Sequence, residues 1–261
     1  MFLLFAMIFV CAPAPVFASA PEESEVPTEA LPEAPAAEAG EDRPCRIEDR
    51  YCVINLLLES TDSIENVTWR DQTYREIAKT LAFEGEIDAA LRLIDKISTP
   101  DTKAMTIRGI GMAVAESNLS RAEYPQVFEK LRTEAEKIAH APSYAIALTY
   151  IAMAQAFAGD NEGAWKTAAS MKNDALRHKA YGETAEIQAE KEDFAGAMAS
   201  IAFISDVAYR NKAYASISKI LADRERLQEA LQAAESVSNS YMRAQALQYI
   251  LDVQVPRALP H

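Results

Sequence analysis

The feature that most constrains this chain is a period of about 33 residues, the length of one helix-pair repeat. Arg177-His178-Lys179-Ala180-Tyr181, Arg210-Asn211-Lys212-Ala213-Tyr214 and Arg243-Ala244-Gln245-Ala246-Leu247 recur at equal intervals. Toward the N-terminus, Tyr144 with Ala147 and Leu148 keeps the same step. The next step back, to Lys103 with Thr106 and Ile107, is longer by eight, and Arg70 with Thr73 and Tyr74 stands one ordinary step before that. A fixed period of this length builds units that stack on their neighbours and share one continuous core. Units therefore begin near 70, 103, 144, 177, 210 and 243, with eight extra residues inside the second.

Other columns keep the register. The eighth position of each unit holds Ile77, Ile110, Ile151, Thr184, Ile217 and Ile250, and the ninth is small: Ala78, Gly111, Ala152, Ala185 and Ser218. Later in the unit, Ala90, Ala164, Ala197 and Ala230 are followed at helical spacing by Ile94, Ala168, Ile201 and Ala234, then by Ile97, Met171, Ile204 and Val237. Steps of three and four hold such residues on one helical face, so each unit reads as two amphipathic helices. Gly85 and Gly159 fall where a first helix should end in a left-handed residue, with Glu192 and Glu225 in the same place closing that turn at greater cost. Asp160 is placed to cap a second helix, and Asn66, Asn173, Asp206 and Asn239, four residues before each unit's Arg, to cap first helices. The recurrent Arg reads as a solvated first-turn residue or a partner of that cap.

In the order large, large, small, large, then alanine, large and small, the fifth unit offers Tyr214, Ile217, Ser218, Leu221, Ala230, Ala234 and Val237. The pattern resembles the tetratricopeptide repeat family over nearly all of residues 48–255. It departs in being one residue short, in lacking the usual proline near the unit's end, and in using alanine where bulkier residues are common. The resemblance implies an all-α, right-handed α-α superhelix over residues 45–255: about five helix-pair units, a lone second helix from Tyr51 to Ile64 at one end and a lone first helix from Arg243 at the other. It also implies a concave surface, made of first helices, that holds a protein or peptide. Mapped position by position, that surface carries Gln72, Arg75 and Lys79; Met105, Arg108 and Met112; Ile146, Thr149 and Met153; Lys179, Gly182 and Glu186; Lys212, Ala215 and Lys219. Of these, Arg75, Lys79, Met105, Arg108, Met112, Ile146, Met153, Lys179, Lys212 and Lys219 are the candidate partner-binding residues: cations to orient an acidic segment or a C-terminal carboxylate, and adaptable methionines to add area. The bland reading of the same lysines and arginines is an ordinary solvated face. The insertion, between Asn118 and about Lys130 with Pro125 inside it, reads as a longer helix connection forming a bump on one edge.

Residues 1–20 carry no charged side chain and end in the small-residue site Ala18-Ser19-Ala20, the pattern of a secretory signal cleaved after Ala20. The absence of Lys or Arg before the apolar run leaves open a truncated start or an uncleaved segment. Pro13 and Pro15 break the run below spanning length, and bulky Phe9 and Val10 argue against lipidation of Cys11. Residues 21–44 hold seven Glu and one Asp against Arg43, and read as a disordered acidic tether. Of the net charge of −13, that segment accounts for −7, which leaves the repeats mildly acidic and without the basic footprint of a nucleic-acid binder. The expected location is periplasmic or secreted, with membrane contact only if the N-terminal segment stays uncleaved, and residues 256–261 are a short tail. Cys45 and Cys52 can bond if Cys45 lies in a non-helical lead-in, as Pro44 suggests; otherwise they are two separate thiols.

Catalysis finds little support. Histidine occurs only at 140, 178 and 261, without metal-binding spacing, and His178 reads as a surface residue. Gly109-Ile110-Gly111 falls inside a first helix, where small residues permit close packing, and the acid pairs at Asp160 with Glu162 and Glu192 with Asp193 sit at helix starts. The expectation is therefore no enzyme, no metal and no small-molecule cofactor, but an exported scaffold or adaptor. A self-assembling envelope component is the alternative, and a helical glycan-processing enzyme a weaker one.

Overall fold

A computed structural model describes residues 45–254 apart from 118 and 121. The expected leader at 1–20, the tether at 21–44 and the tail at 256–261 lie outside the described residues. The chain divides into two units, Met1–Pro44 and Cys45–His261, and the second holds every described residue.

That unit is all-α, with twelve helices and no strand among the described residues. A lone helix α1 (Arg50–Asp62) precedes five helix pairs: α2 (Val67–Phe83) with α3 (Ile87–Lys96), α4 (Pro100–Glu116) with α5 (Tyr124–Glu136), α6 (Ala141–Phe157) with α7 (Asn161–Ala169), α8 (Asp174–Glu190) with α9 (Phe194–Ala202), and α10 (Val207–Asp223) with α11 (Leu227–Glu235). A lone α12 (Ser240–Gln254) closes the series. First helices pack on one another in sequence, α2 on α4, α4 on α6 and so on to α12, and each second helix leans on its own first helix and on the next one. The result is a helical solenoid whose register is the one the repeat period predicts.

The columns explain the packing. Ile77, Ile110, Ile151, Ile217 and Ile250 are buried, and the small ninth position, with Ala78, Ala152 and Ala185 wholly buried, lets successive first helices approach. At Gly111 an added Cβ would come within 2.9 Å of Ala154 Cβ on the next first helix, so the small residue is required there. Thr184 stands in the isoleucine column, wholly buried, and its hydroxyl has no hydrogen-bond partner.

The turns are built as the local signals predict. Asn66, Asn173, Asp206 and Asn239 accept backbone N–H bonds at the starts of α2, α8, α10 and α12, and Asp160 and Asp193 do so for α7 and α9. Gly85 and Gly159 are left-handed, with φ of +87° and +82°, and Glu192 and Glu225 share that conformation at +63° and +60°. The recurrent Arg has a more definite task than solvation. Arg177 Nη1 donates to the Met171 carbonyl at 3.0 Å and Arg210 Nη1 to that of Ile204 at 2.9 Å, so each ties its first helix to the connection just past the preceding second helix.

The eight extra residues of the second unit are divided. The α4–α5 connection covers 117–123, against 158–160 in the next unit, and α5 has 13 residues where α7 has 9. The expected bump is thus half loop and half an added helical turn, whose Tyr124 and Phe128 are buried edge to face. Lys130 of α5 and Lys137 at its C-cap reach Asp88 and Asp95 of α3 at 2.6 and 3.4 Å. Ahead of α1, Cys45 lies in the non-helical lead-in and is disulfide-bonded to Cys52, with Cα atoms 5.7 Å apart.

Candidate functional site

Five of the ten candidate partner-binding residues converge. Arg75 and Lys79 of α2 and Met105, Arg108 and Met112 of α4 line one cavity of about 630 Å³, with Phe83, Gly109 and Ala113 adding apolar wall. Helical spacing puts the sixth and tenth positions of α2 beside the third, sixth and tenth of α4, because the two helices lie side by side. The Lys79 stem runs across Gly109, where an added Cβ would meet its Cγ at 2.5 Å; the missing side chain at 109 makes room for it.

The charge is less one-sided than the basic columns suggest. Arg50, Arg75, Lys79 and Arg108 share the cavity with Glu76, Glu84 and Glu116, an excess of one positive charge. Glu76 pairs with both Arg75 and Lys79, at 2.8 and 2.7 Å, and the Lys79 hydrogen bond, with Arg75 behind it, holds its carboxyl below the ordinary glutamate range. Arg50 pairs with Glu84. Arg108 has no carboxylate partner among the described residues; its guanidinium lies 5.3 Å from the Tyr150 ring centroid, exposed and free to turn toward an anion.

A second cavity of about 550 Å³ adjoins the first, sharing Arg75, Glu76 and Thr80, and is walled by Gln72, Ile54, Leu57 and Trp69. Trp69 is 66 % exposed, a large apolar surface beside charged residues. Trp69 and Leu57 fall outside the mapped binding columns, although a lone tryptophan in a first helix's opening turn is a signal visible in the sequence.

The other five candidates do not join this site. Ile146 is exposed and Met153 half-buried on α6, while Lys179, Lys212 and Lys219 are exposed farther along. Lys179 pairs with Glu183 at 3.6 Å, and Lys219 sits 5.6 Å from the Tyr249 ring centroid. Lys212 acts on Glu186, whose carboxyl is nonetheless pushed up, chiefly by burial. Thr149, mapped to the same face, is instead buried and donates to the Ala145 carbonyl at 3.0 Å.

His178 is also buried and not on the surface, correcting the expectation from its first-turn position. Its Nε2 lies 3.0 Å from Ser205 Oγ and its ring packs against Tyr209. It belongs to a recurring tie between a first helix and the connection that follows its second helix: Asp71 accepts from Ser98 and Thr99, and Asn211 from Ser238. Another polar ladder crosses units inside the solenoid. Trp165 Nε1 donates to Ser200 Oγ at 2.7 Å, Ser200 Oγ to Gln188 Oε1 at 2.6 Å, Gln188 Nε2 to Asn161 Oδ1 at 2.7 Å, and Asn161 Nδ2 to Asp193 Oδ2 at 2.7 Å. These groups satisfy one another, which assigns them to holding units together.

Among the described residues, no three His, Cys, Asp or Glu side chains are grouped so as to hold a metal ion, and no helix is long and apolar enough to cross a membrane. No family profile matches the chain, and no curated protein is detectably similar to it. A solved structure, Ton1535 from Thermococcus onnurineus NA1, aligns over 79% of this chain and 86% of that one at 13% identity, with a TM-score of 0.24.

Proposed function

We propose that this chain is an exported adaptor of the tetratricopeptide-like kind, which holds an acidic peptide segment of a protein partner along the α2–α4 face. The supporting observation is the convergence of Arg75, Lys79, Met105, Arg108 and Met112 on one open cavity of about 630 Å³. Arg108 anchors the peptide, since it alone of these cations has no carboxylate to leave. The two methionines adapt to the neighbouring side chains, and the Glu76 pairs set the register.

The test is binding of a labelled Glu-rich peptide to the full chain. Arg108→Glu, which places a like charge against the peptide, is expected to weaken binding about tenfold or more, whereas Lys219→Glu, outside the cavity, leaves it near the original value. Equal binding by Arg108→Glu and the unaltered chain removes the proposal.

One feature favours self-assembly as a second reading. Among the described residues, the solenoid starts with an unpaired second helix, α1, exposing Tyr51, Leu56 and Leu57, and finishes with an unpaired first helix, α12, exposing Tyr241 and Leu251. Those halves complement each other head to tail, an arrangement that propagates. Sedimentation over a wide concentration range separates the two readings: open-ended growth supports assembly, a constant monomer the adaptor.

A further inference from the structure

The third unit contains a different cavity. About 520 Å³ lies between the start of α6 and the α7–α8 connection, lined by Tyr144, Ala145, Leu148, Ser170, Lys172 and Leu176, with Met171 among its walls. None of these residues belongs to the basic stripe.

The repeat explains why space exists here. Helices α6 and α8 match in length, as do α7 and α9, and the second pair follows the first one full repeat later. Four lining positions therefore have counterparts one unit on: Ala145 corresponds to His178, Leu148 to Tyr181, Ser170 to Phe203 and Leu176 to Tyr209. In the fourth unit these counterparts pack as rings, with Tyr181 stacked on Phe203 at 5.2 Å and His178 against Tyr209 at 5.7 Å. In the third unit every one of the four is smaller and none is aromatic. The cavity falls at the repeat positions that carry the ring contacts in the next unit.

We propose that this cavity binds an aromatic side chain of a partner peptide, with a carboxylate next to the ring. The fourth unit shows that the frame accommodates rings, and the walls offer what a ring needs: Leu148, Leu176 and the Met171 thioether. Lys172, exposed at the rim with no ion pair among the described residues, is available to a carboxylate beside the ring. The nearby acid, Asp174, is already held by Arg177 at 2.6 Å and does not neutralise it. Ser170 and Lys172 are both exposed, so the ring enters from that side. Residues 21–44 and 255–261 contain no Phe, Trp or Tyr, and Phe2, Phe5, Phe9 and Phe17 stand in a stretch without Asp or Glu, so the pairing of ring and carboxylate is assigned to another molecule.

The experiment uses the full chain and a fluorescein-labelled peptide with one tryptophan among glutamates, beside the same peptide with alanine in its place. The tryptophan peptide is expected to bind roughly tenfold tighter or more, from burial of one ring. Grafting the fourth unit's residues into the third, as Leu148→Tyr with Ser170→Phe and Leu176→Tyr, should fill the cavity and abolish that preference. Ser170→Phe alone, the smallest intrusion, should reduce it, and Lys172→Glu should weaken the tryptophan peptide severalfold. Arg108→Glu should leave the tryptophan preference intact whatever it does to total affinity, so this site and the α2–α4 face fail separately. Equal binding of the two peptides by the unaltered chain overturns the proposal, as does a folded graft that keeps the preference. Indole-3-acetate binding as tightly as the peptide overturns the peptide assignment.

Discussion

Four first helices end in one turn built from two different residue types, which allows the cost of a left-handed backbone to be measured inside a single molecule. At each end the left-handed residue donates to one carbonyl of the last helical turn, and the residue after it donates to the carbonyl just before that one. The second bonds run from Glu86 N to Leu81 O at 2.9 Å, and from Asp160 N to Gln155 O, Asp193 N to Gln188 O and Arg226 N to Leu221 O at 2.8 Å each. The left-handed residue is Gly85, Gly159, Glu192 or Glu225. A Cβ added at Gly85 or Gly159 meets nothing within 4 Å, so Gly159→Ala carries no steric term. What remains is the backbone penalty of about 1–2 kcal/mol for a left-handed L-residue, offset by about 0.4–1 kcal/mol because alanine restricts the unfolded chain. The net expectation is a loss of about 0.5–1 kcal/mol. Glu225→Gly runs the same arithmetic backwards and should gain about that much, raising the thermal midpoint by about 1–4 °C for a domain of this size. Glu225 is the better choice over Glu192, whose carboxylate pairs with Arg226 at 3.2 Å, so that its replacement would remove a second interaction as well. Denaturant and thermal unfolding followed by circular dichroism read both variants. A Glu225→Gly protein no more stable than its parent, together with an unaffected Gly159→Ala protein, would refute the reasoning that backbone conformation sets the cost at these ends.

Two further outcomes are expected. Thr184→Val keeps the shape of a wholly buried residue in the isoleucine column while removing a hydroxyl that has no partner, so stability should rise by about 1–2 kcal/mol; a loss in urea unfolding would mean the hydroxyl is satisfied. Burial raises the Glu186 carboxyl above its ordinary 4.5, with Glu183 and Glu190 adding to the effect and Ser216 and Lys212 opposing it. The folded chain then holds this proton where the unfolded chain has lost it, so the contribution to stability falls as pH rises from about 4.5 through the raised value. Glu186→Gln should flatten that part of the stability–pH curve, and an unchanged slope would count against the assignment.

Local chemistry makes much of this molecule legible in its residues. A cap acts within three residues and a left-handed turn within five, so Asn173, Asp206, Gly85 and Gly159 announce helix ends through their neighbours alone, whereas Glu192 is placed by the repeat period. Alternation of large and small residues at helical spacing sets which face is buried, which is why the isoleucine and small-residue columns reproduce the observed core. Proximity of Arg75 and Lys79 to Met105, Arg108 and Met112 was readable only as columns. That these residues meet in one cavity, whereas Lys179, Lys212 and Lys219 remain apart from it, is a property of how α2 lies on α4.

By itself, then, the sequence determined the period, the helix pairs, their ends and the residues that face inward, because each depends on contacts within a turn or two of one helix. Only the tertiary structure decided the fate of His178, taken into the interior by Ser205 and Tyr209 from beyond the end of α9, and of Gln188, linked through Asn161 to the unit before. It also decided that the second unit's insertion becomes half helix, and that Ser170 beside Leu148 leaves space where Phe203 beside Tyr181 does not. Such outcomes depend on which side chains from neighbouring units compete for the same volume and the same hydrogen bonds, and that competition exists only once the helices are stacked.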